Sequence, residues 1–214
     1  MKSMHSTRNA AVGVLIAFSL IPSWARADDR AAFVSVGLQT LSNSPDTEKA
    51  IFDNPGGLAL GVGVSLDRGE RLRFGIEARR ISRAGERAFA ADRTSPAFRL
   101  GHPLQFSMNQ VVASAVYRFS KLGPVSPYFG VGGGVAFWKE ESTIAGLAEK
   151  ASGTSALVEA RLGFERQGRS LRYGIEGGIT LIPNAVGVGG VSAIYEEKDL
   201  GGLFVVAKIG FSRK

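Results

Sequence analysis

Arg73, Glu77 and Arg79, then Glu159, Arg161 and Glu165, then Arg172 and Glu176 occupy alternate positions of three stretches, with Gly75, Gly163 and Gly174 among them. Arg118 and Lys208 fall at similar places in two more. Positions i and i+2 of an extended strand share one face. Each stretch would therefore present a row of opposite charges, with glycine leaving room beside them. A buried charge costs several kcal/mol unless it is paired. These rows therefore point to a network of ion pairs in a confined interior rather than to acid–base catalysis. Other chemistry-bearing residues are sparse. Beyond residue 27 the one histidine is His102, in Leu100-Gly101-His102-Pro103 with Ser107 following. A hydroxyl nucleophile needs a base within hydrogen-bond reach, and a lone histidine in a polar connection reads as solvated. Cysteine is absent, which excludes a thiol nucleophile, a thiolate metal site, a lipid-modified cysteine and any disulfide. Glu140-Glu141 and Glu196-Glu197 are adjacent acids in polar connections, able to hold a divalent cation only loosely. The glycines at 130–134 and 187–190 lack the following helix and lysine of a phosphate loop. No metal, no cofactor and no catalytic residue is expected.

The elements that must position the charge rows are strands. Leu58, Leu60, Val62, Val64 and Leu66 alternate with Ala59, Gly61, Gly63 and Ser65, the period of a strand with one apolar face. The same period recurs in eight segments, at 32–41, 58–66, 71–81, 106–119, 127–138, 154–165, 170–182 and 202–211. Each is long enough to cross a membrane as a tilted strand of about 9–11 residues. Segments two and three are joined by residues 67–70, four and five by 120–126, six and seven by 166–169. The other connections, 42–57, 82–105, 139–153 and 183–201, are long and polar. Short and long alternate, as when periplasmic turns lie at one end of a barrel and surface loops at the other. Leu72-Arg73-Phe74-Gly75-Ile76-Glu77 is echoed by Leu171-Arg172-Tyr173-Gly174-Ile175-Glu176, by duplication or by convergence on one hairpin design.

The start of the chain reads as an address. Lys2, His5 and Arg8 precede a mostly apolar run from Ala10 to Ile21, and Ala25-Arg26-Ala27 follows. The run is shorter than the ~20 residues that a helix needs to span a bilayer, and Ala25 and Ala27 form the small-x-small pattern of a signal-peptidase site. Cleavage is expected before Asp28, leaving one domain over residues 28–214. Removing Lys2, Arg8 and Arg26 leaves 23 basic against 19 acidic residues, so the formal +7 falls to +4, a mild excess that does not read as a nucleic-acid footprint.

Which face meets lipid follows from the residues on the other one. A solvated exterior favours Lys, Thr and Gln, whereas paired long side chains interleaved with glycine suit a narrow lumen. The charge rows are therefore placed inside: Arg73, Glu77, Arg79, Arg118, Glu159, Arg161, Glu165, Arg172, Glu176 and Lys208. Phe74, Tyr117, Phe119, Phe129, Phe164, Tyr173 and Phe211 gather on the apolar face at the short-turn end, where they make one aromatic girdle. Closure is required because unpaired strand edges are not tolerated in hydrocarbon. The expected fold is all-β, an eight-stranded antiparallel up-and-down transmembrane barrel. Charges filling it would act as a plug, since eight strands enclose little more than their own side chains.

Pro127-Tyr128-Phe129-Gly130-Val131-Gly132-Gly133-Gly134 resembles the Pro-Tyr-x-Gly-x-Gly-x-Gly strand of the OmpA-like and opacity-like outer-membrane barrel families. Leu203, Val205, Ala207, Ile209 and Phe211 look like the final-strand signal read by the barrel assembly machinery, although Ser212, Arg213 and Lys214 follow where such signals end on the aromatic residue. The resemblance covers residues 28–214 and implies a bacterial outer-membrane protein, in contact with membrane lipid and lipopolysaccharide. The His-x-Ser-Asn arrangement of outer-membrane lipid A deacylases is absent. The expected function is non-enzymatic: surface-loop interaction or adhesion, with a part in envelope integrity. A small-solute, porin-like channel and a lipid A-modifying enzyme using His102 are the alternatives. The second long connection carries Arg83, Arg87, Arg93 and Arg99 against Glu86 and Asp92, which suits lipopolysaccharide or another acidic extracellular ligand.

Overall fold

The computed structural model describes residues 29–41, 45–53, 56–89, 91, 95–144, 146–185 and 199–213. The proposed signal with Ala25 and Ala27, and Arg93, Glu196 and Glu197, lie outside the described residues. Eight strands are present: β1 (Asp29–Gln39), β2 (Gly57–Arg68), β3 (Leu72–Phe89), β4 (Phe98–Arg118), β5 (Ser126–Ile144), β6 (Leu147–Gln167), β7 (Leu171–Ile182) and β8 (Leu200–Arg213). Each pairs antiparallel with the next, and β1 pairs with β8, so the sheet closes into a barrel.

Lipid-facing positions follow the period of two. Val34, Val36 and Leu38 on β1, Phe74 and Ile76 on β3, Val158, Leu162 and Phe164 on β6, and Leu203, Val205, Ile209 and Phe211 on β8 are all exposed. On β6 the apolar band runs from Phe164 to Ala156, a height of roughly 20–25 Å at the usual strand rise and tilt. The inward positions are small where strands crowd. A Cβ on Gly61 would fall 2.3 Å from Ser35 Oγ and 2.9 Å from Glu77 Oε1, so glycine there makes room for the charged filling.

Three long connections are not the loops expected. Residues 82–105 and 139–153 are mostly strand. β3 and β4 stay paired as far as Phe89↔Phe98, with one irregularity between Glu86 and Ala88. β5 and β6 continue to Ile144↔Leu147, and β4 and β5 to Leu104↔Ser142. The result is a four-stranded extension standing beyond the apolar band. Its polarity explains why it reads as loop in the sequence: above the level Ala78↔Val111↔Val135 the outward residues become mostly polar, with Phe137 exposed among them, and the inward ones mostly apolar. Arg80, Ser82, Gln105, Asn109, Lys139, Ser152 and Thr154 face out, while Ile81, Leu104, Phe106, Met108, Trp138 and Leu157 face in.

The third correction lies within 42–57, where Pro45–Phe52 forms a helix, α1. Proline suits the first helical position, and Lys49 near the end complements the helix dipole. Asp53 follows in the left-handed region at φ 58°, a C-terminal stop. Ile51 and Phe52 pack against the apolar residues inside the barrel's upper end, a cluster that includes Leu41, Ile81, Leu104, Phe106, Met108, Trp138 and Ile182.

Candidate functional site

The interior charges form two layers. In the lower one, near the short turns, Arg73 joins Asp67 at 2.7 Å and grips Glu165 with two nitrogens at 2.6 and 2.5 Å. Arg172 reaches Asp67 at 2.7 Å, and Arg118 lies 3.2 Å from Asp67 and 3.7 Å from Glu165. In the middle layer Lys208 bridges Glu77 and Glu176 at 3.0 and 2.9 Å. Arg161 approaches Glu77 at 3.4 Å and Glu176 at 3.3 Å, and pairs with Glu159. Arg79 lies between Glu77 and Glu159 and stacks on the Phe204 ring. Ser35 and Tyr128 donate hydroxyl hydrogen bonds to Glu77 and Glu176 at 2.8 and 3.0 Å. All ten charges assigned to the lumen thus come together. A cavity of about 60 Å³ between the layers, lined by Ser65, Arg73, Ser114, Tyr128 and Lys208 among others, has room for a few waters.

Asp67, Ser35, Tyr128 and Gln39 are members that the charge rows do not reveal. The spacing of the segments places Asp67 in a turn, yet it sits at the next inward position of β2 after Ser65. One further step of the alternation finds it. Gln39 ends β1 on the same inward face and receives a hydrogen bond from Arg79 at 3.3 Å.

The supposed basic surface loop is corrected most. Arg83 is buried, not a solvated loop residue, and holds Glu48 of α1 at 2.6 Å while stacking on Phe52. The Leu41 amide donates to the same carboxylate at 2.8 Å. Burial nevertheless holds the Glu48 carboxyl above the usual carboxylate range, with the Leu41 amide and Arg83 pulling it back. Arg99 caps the end of α1, donating to the carbonyls of Ala50 and Lys49 at 3.1 and 3.0 Å and pairing with Asp53. Arg87 of β3 reaches Glu149 of β6 at 2.9 Å, so the two hairpins lean together across the mouth. These guanidiniums build the extension. Glu140 and Glu141, expected in a loop, are adjacent on β5 and so face opposite sides, unable to share an ion.

His102 lies on β4, five residues along the strand from Ser107, a span of about 16 Å at the strand rise. The seven girdle aromatics, Phe74, Tyr117, Phe119, Phe129, Phe164, Tyr173 and Phe211, are all exposed and cluster at the short-turn end, with Tyr117 opposite Phe129 and Phe211 opposite Leu171. Among the described residues no group of three or more His, Asp and Glu is placed to hold a metal ion.

A closed eight-stranded up-and-down barrel with an apolar outer band and a filled lumen is the fold of the small outer-membrane barrels, in agreement with the resemblance to the OmpA-like and opacity-like families. Similar solved structures include three small outer-membrane proteins. Neisserial surface protein A matches with a TM-score of 0.54 at 16% identity, covering 86% of this chain and 96% of that one. The attachment invasion locus protein Ail of Yersinia pestis, solved with the heparin analogue sucrose octasulfate, matches at 0.53 and 11%, covering 86% and 98%. A major outer membrane protein from Thermus thermophilus matches at 0.56 and 12%, covering 86% and 99%. No protein-family model matches the chain, and a search of curated proteins found no match.

Proposed function

We propose that the protein is a non-enzymatic surface protein of the bacterial outer membrane, in which a barrel closed by its own side chains anchors an interaction surface. The observation that carries this reading is the four-stranded extension beyond the apolar band. Its outer face, directly above the lipid-facing residues, presents Arg80, Lys139 and Lys150 with Glu141 as the acid between the two lysines, together with Ser82, Gln105, Ser107 and Asn109. Three cations against Glu141 and, further out on the same parity of β3, Glu86, set among hydroxyls and amides around the exposed ring of Phe137, match a polyanionic saccharide. Lipopolysaccharide is the nearest source, and cross-linking it to the protein is the route to a role in envelope integrity. The heparin analogue solved with Ail is a ligand of the same chemistry on a similar fold.

Binding of the folded barrel to immobilised heparin and to lipopolysaccharide tests the reading. Retention that falls about tenfold or more in Arg80→Gln/Lys139→Gln, with heat-modifiable folding unchanged, is the expected result. Unaltered retention would remove the outer face from the function. The channel alternative predicts steady ion conductance in planar bilayers, whereas a barrel plugged by two charged layers and α1 should conduct only rarely.

A further inference from the structure

We propose that the short-turn end of the barrel carries a collar of arginines that binds the phosphate groups of anionic phospholipids. The proposal goes beyond surface binding but rests on the reading of the barrel as membrane-inserted. Arg68 ends β2 on the lipid-facing parity, opposite Leu72, one step below the Leu66↔Phe74 pair. Arg166, the penultimate residue of β6, has the same parity and stands opposite the girdle residue Tyr173. Arg71, in the turn between β2 and β3, donates to the hydroxyl of girdle Tyr117 at 3.0 Å, so its guanidinium is drawn to the outer surface. Arg30 stands opposite Leu66 on β1. Lys121 and Arg169 add two exposed cations at the turn tips. The acids of this end are committed elsewhere: Asp67 and Glu165 point inward to Arg73, Arg118 and Arg172. Among the residues whose side chains are described, Glu70 is the exposed acid left there.

Position decides the ligand. Girdle aromatics sit at headgroup depth, and arginines beside them on the lipid-facing side extend their charged ends to that level while their stems stay along the apolar surface. A fixed polymer such as the cell wall would approach from below and meet the turn tips, Lys121 and Arg169, rather than the outward faces of β2 and β6. Guanidiniums grouped at headgroup level match phosphodiesters carrying a net negative charge, and zwitterionic headgroups much less.

The test uses the full barrel in vesicles of phosphatidylcholine with a minor share of phosphatidylglycerol. Spin-labelled analogues of the two lipids report which one occupies the layer next to the protein. The wild type should prefer phosphatidylglycerol by about threefold or more at low salt. Arg68→Gln/Arg71→Gln/Arg166→Gln should lose most of that preference, and the corresponding triple Lys variant should keep it. Lys121→Gln/Arg169→Gln should change it little. A wild type without preference, or a triple Gln variant that retains it, overturns the proposal. So does a preference lost only in the turn-tip variant, especially if the wild type then sediments with purified cell-wall fragments. A wild type that does not insert, seen as the absence of a heat-modifiable folded band, instead overturns the membrane reading itself.

Discussion

The lower and upper halves of the barrel are built from the same strands with opposite chemistry. Below the level of Ala78 and Val111 the outside is apolar and the inside is charged; above it the outside is mostly polar and the inside is a mostly apolar core closed by α1. The parity of each strand is unbroken across that plane, because a pleated strand has no means of exchanging faces without a bulge or twist. What changes is the medium outside. Where lipid solvates the exterior, the strands keep their polar groups within; where water does, burial inside becomes favourable for apolar residues and the pattern inverts. The lower half therefore depends on paired charges and the upper half on packing, and substitutions should separate the two.

The largest effect is expected at the charged layer. Glu77 meets Lys208, Arg79, Arg161 and Ser35, and Glu77→Gln should lower barrel stability by about 3–5 kcal/mol if that layer is dry, and less if water enters. Urea unfolding in lipid vesicles measures it, and an unchanged midpoint would mean the layer is well hydrated. In the upper half Met108→Ala should cost about 2–4 kcal/mol through a cavity, whereas the same truncation at outward Asn109 should cost almost nothing. Ile175→Arg, on the lipid face of β7, should cost about 2–4 kcal/mol. Thr154→Arg, on the outward face of β6 but above the apolar band, should cost under about 0.5 kcal/mol. Equal costs at these two sites would erase the distinction between the halves.

The eight strands, their parity and the inward set of ten charges are legible in the sequence because hydrocarbon imposes a strict alternation. The extension is not, for a definite reason: the expected strands end where the apolar face turns polar, at Arg80 and Ser82 on β3 and before Phe106 on β4. Leu104, Phe106 and Met108 do alternate with Gln105, Ser107 and Asn109, but with the apolar residues on the side that faces the lumen lower down. An assumption of uniform surroundings hides the continuing period. The arginines of residues 82–105 look like a solvated patch because their partners, Glu48, Asp53 and Glu149, come from β6 and from a helix of eight residues with the residue that ends it. Such a helix is too short to hold its shape without tertiary contacts, so local pattern alone is a weak signal for it.

Smaller effects are expected where α1 docks. Arg99→Ala removes its C-terminal cap and the pair with Asp53, both partly exposed, and should loosen the helix by about 0.5–1 kcal/mol with little change in the barrel. The smallest effect comes from pH. The Glu48 carboxyl is raised by burial. A folded value above the unfolded one means that its contribution to docking is fullest below the unfolded value and declines as pH rises through the folded one. Intrinsic-rate-corrected amide exchange in α1 should therefore be slower near about pH 4 than near about pH 7; the reverse order would show that the ion pair with Arg83 outweighs burial.

The plane of inversion and the surface location are tested together by single cysteines, which are clean probes because the chain has none of its own. Ser107→Cys and Ser152→Cys lie on the outer face of the extension, and Val111→Cys and Val158→Cys lie on the same strands and the same parity within the apolar band. A membrane-impermeant maleimide added to intact cells should label the first two and leave the last two unlabelled until the membrane is dissolved. Labelling of all four, or of none before lysis, would contradict a barrel that stands in the outer membrane with its extension outside.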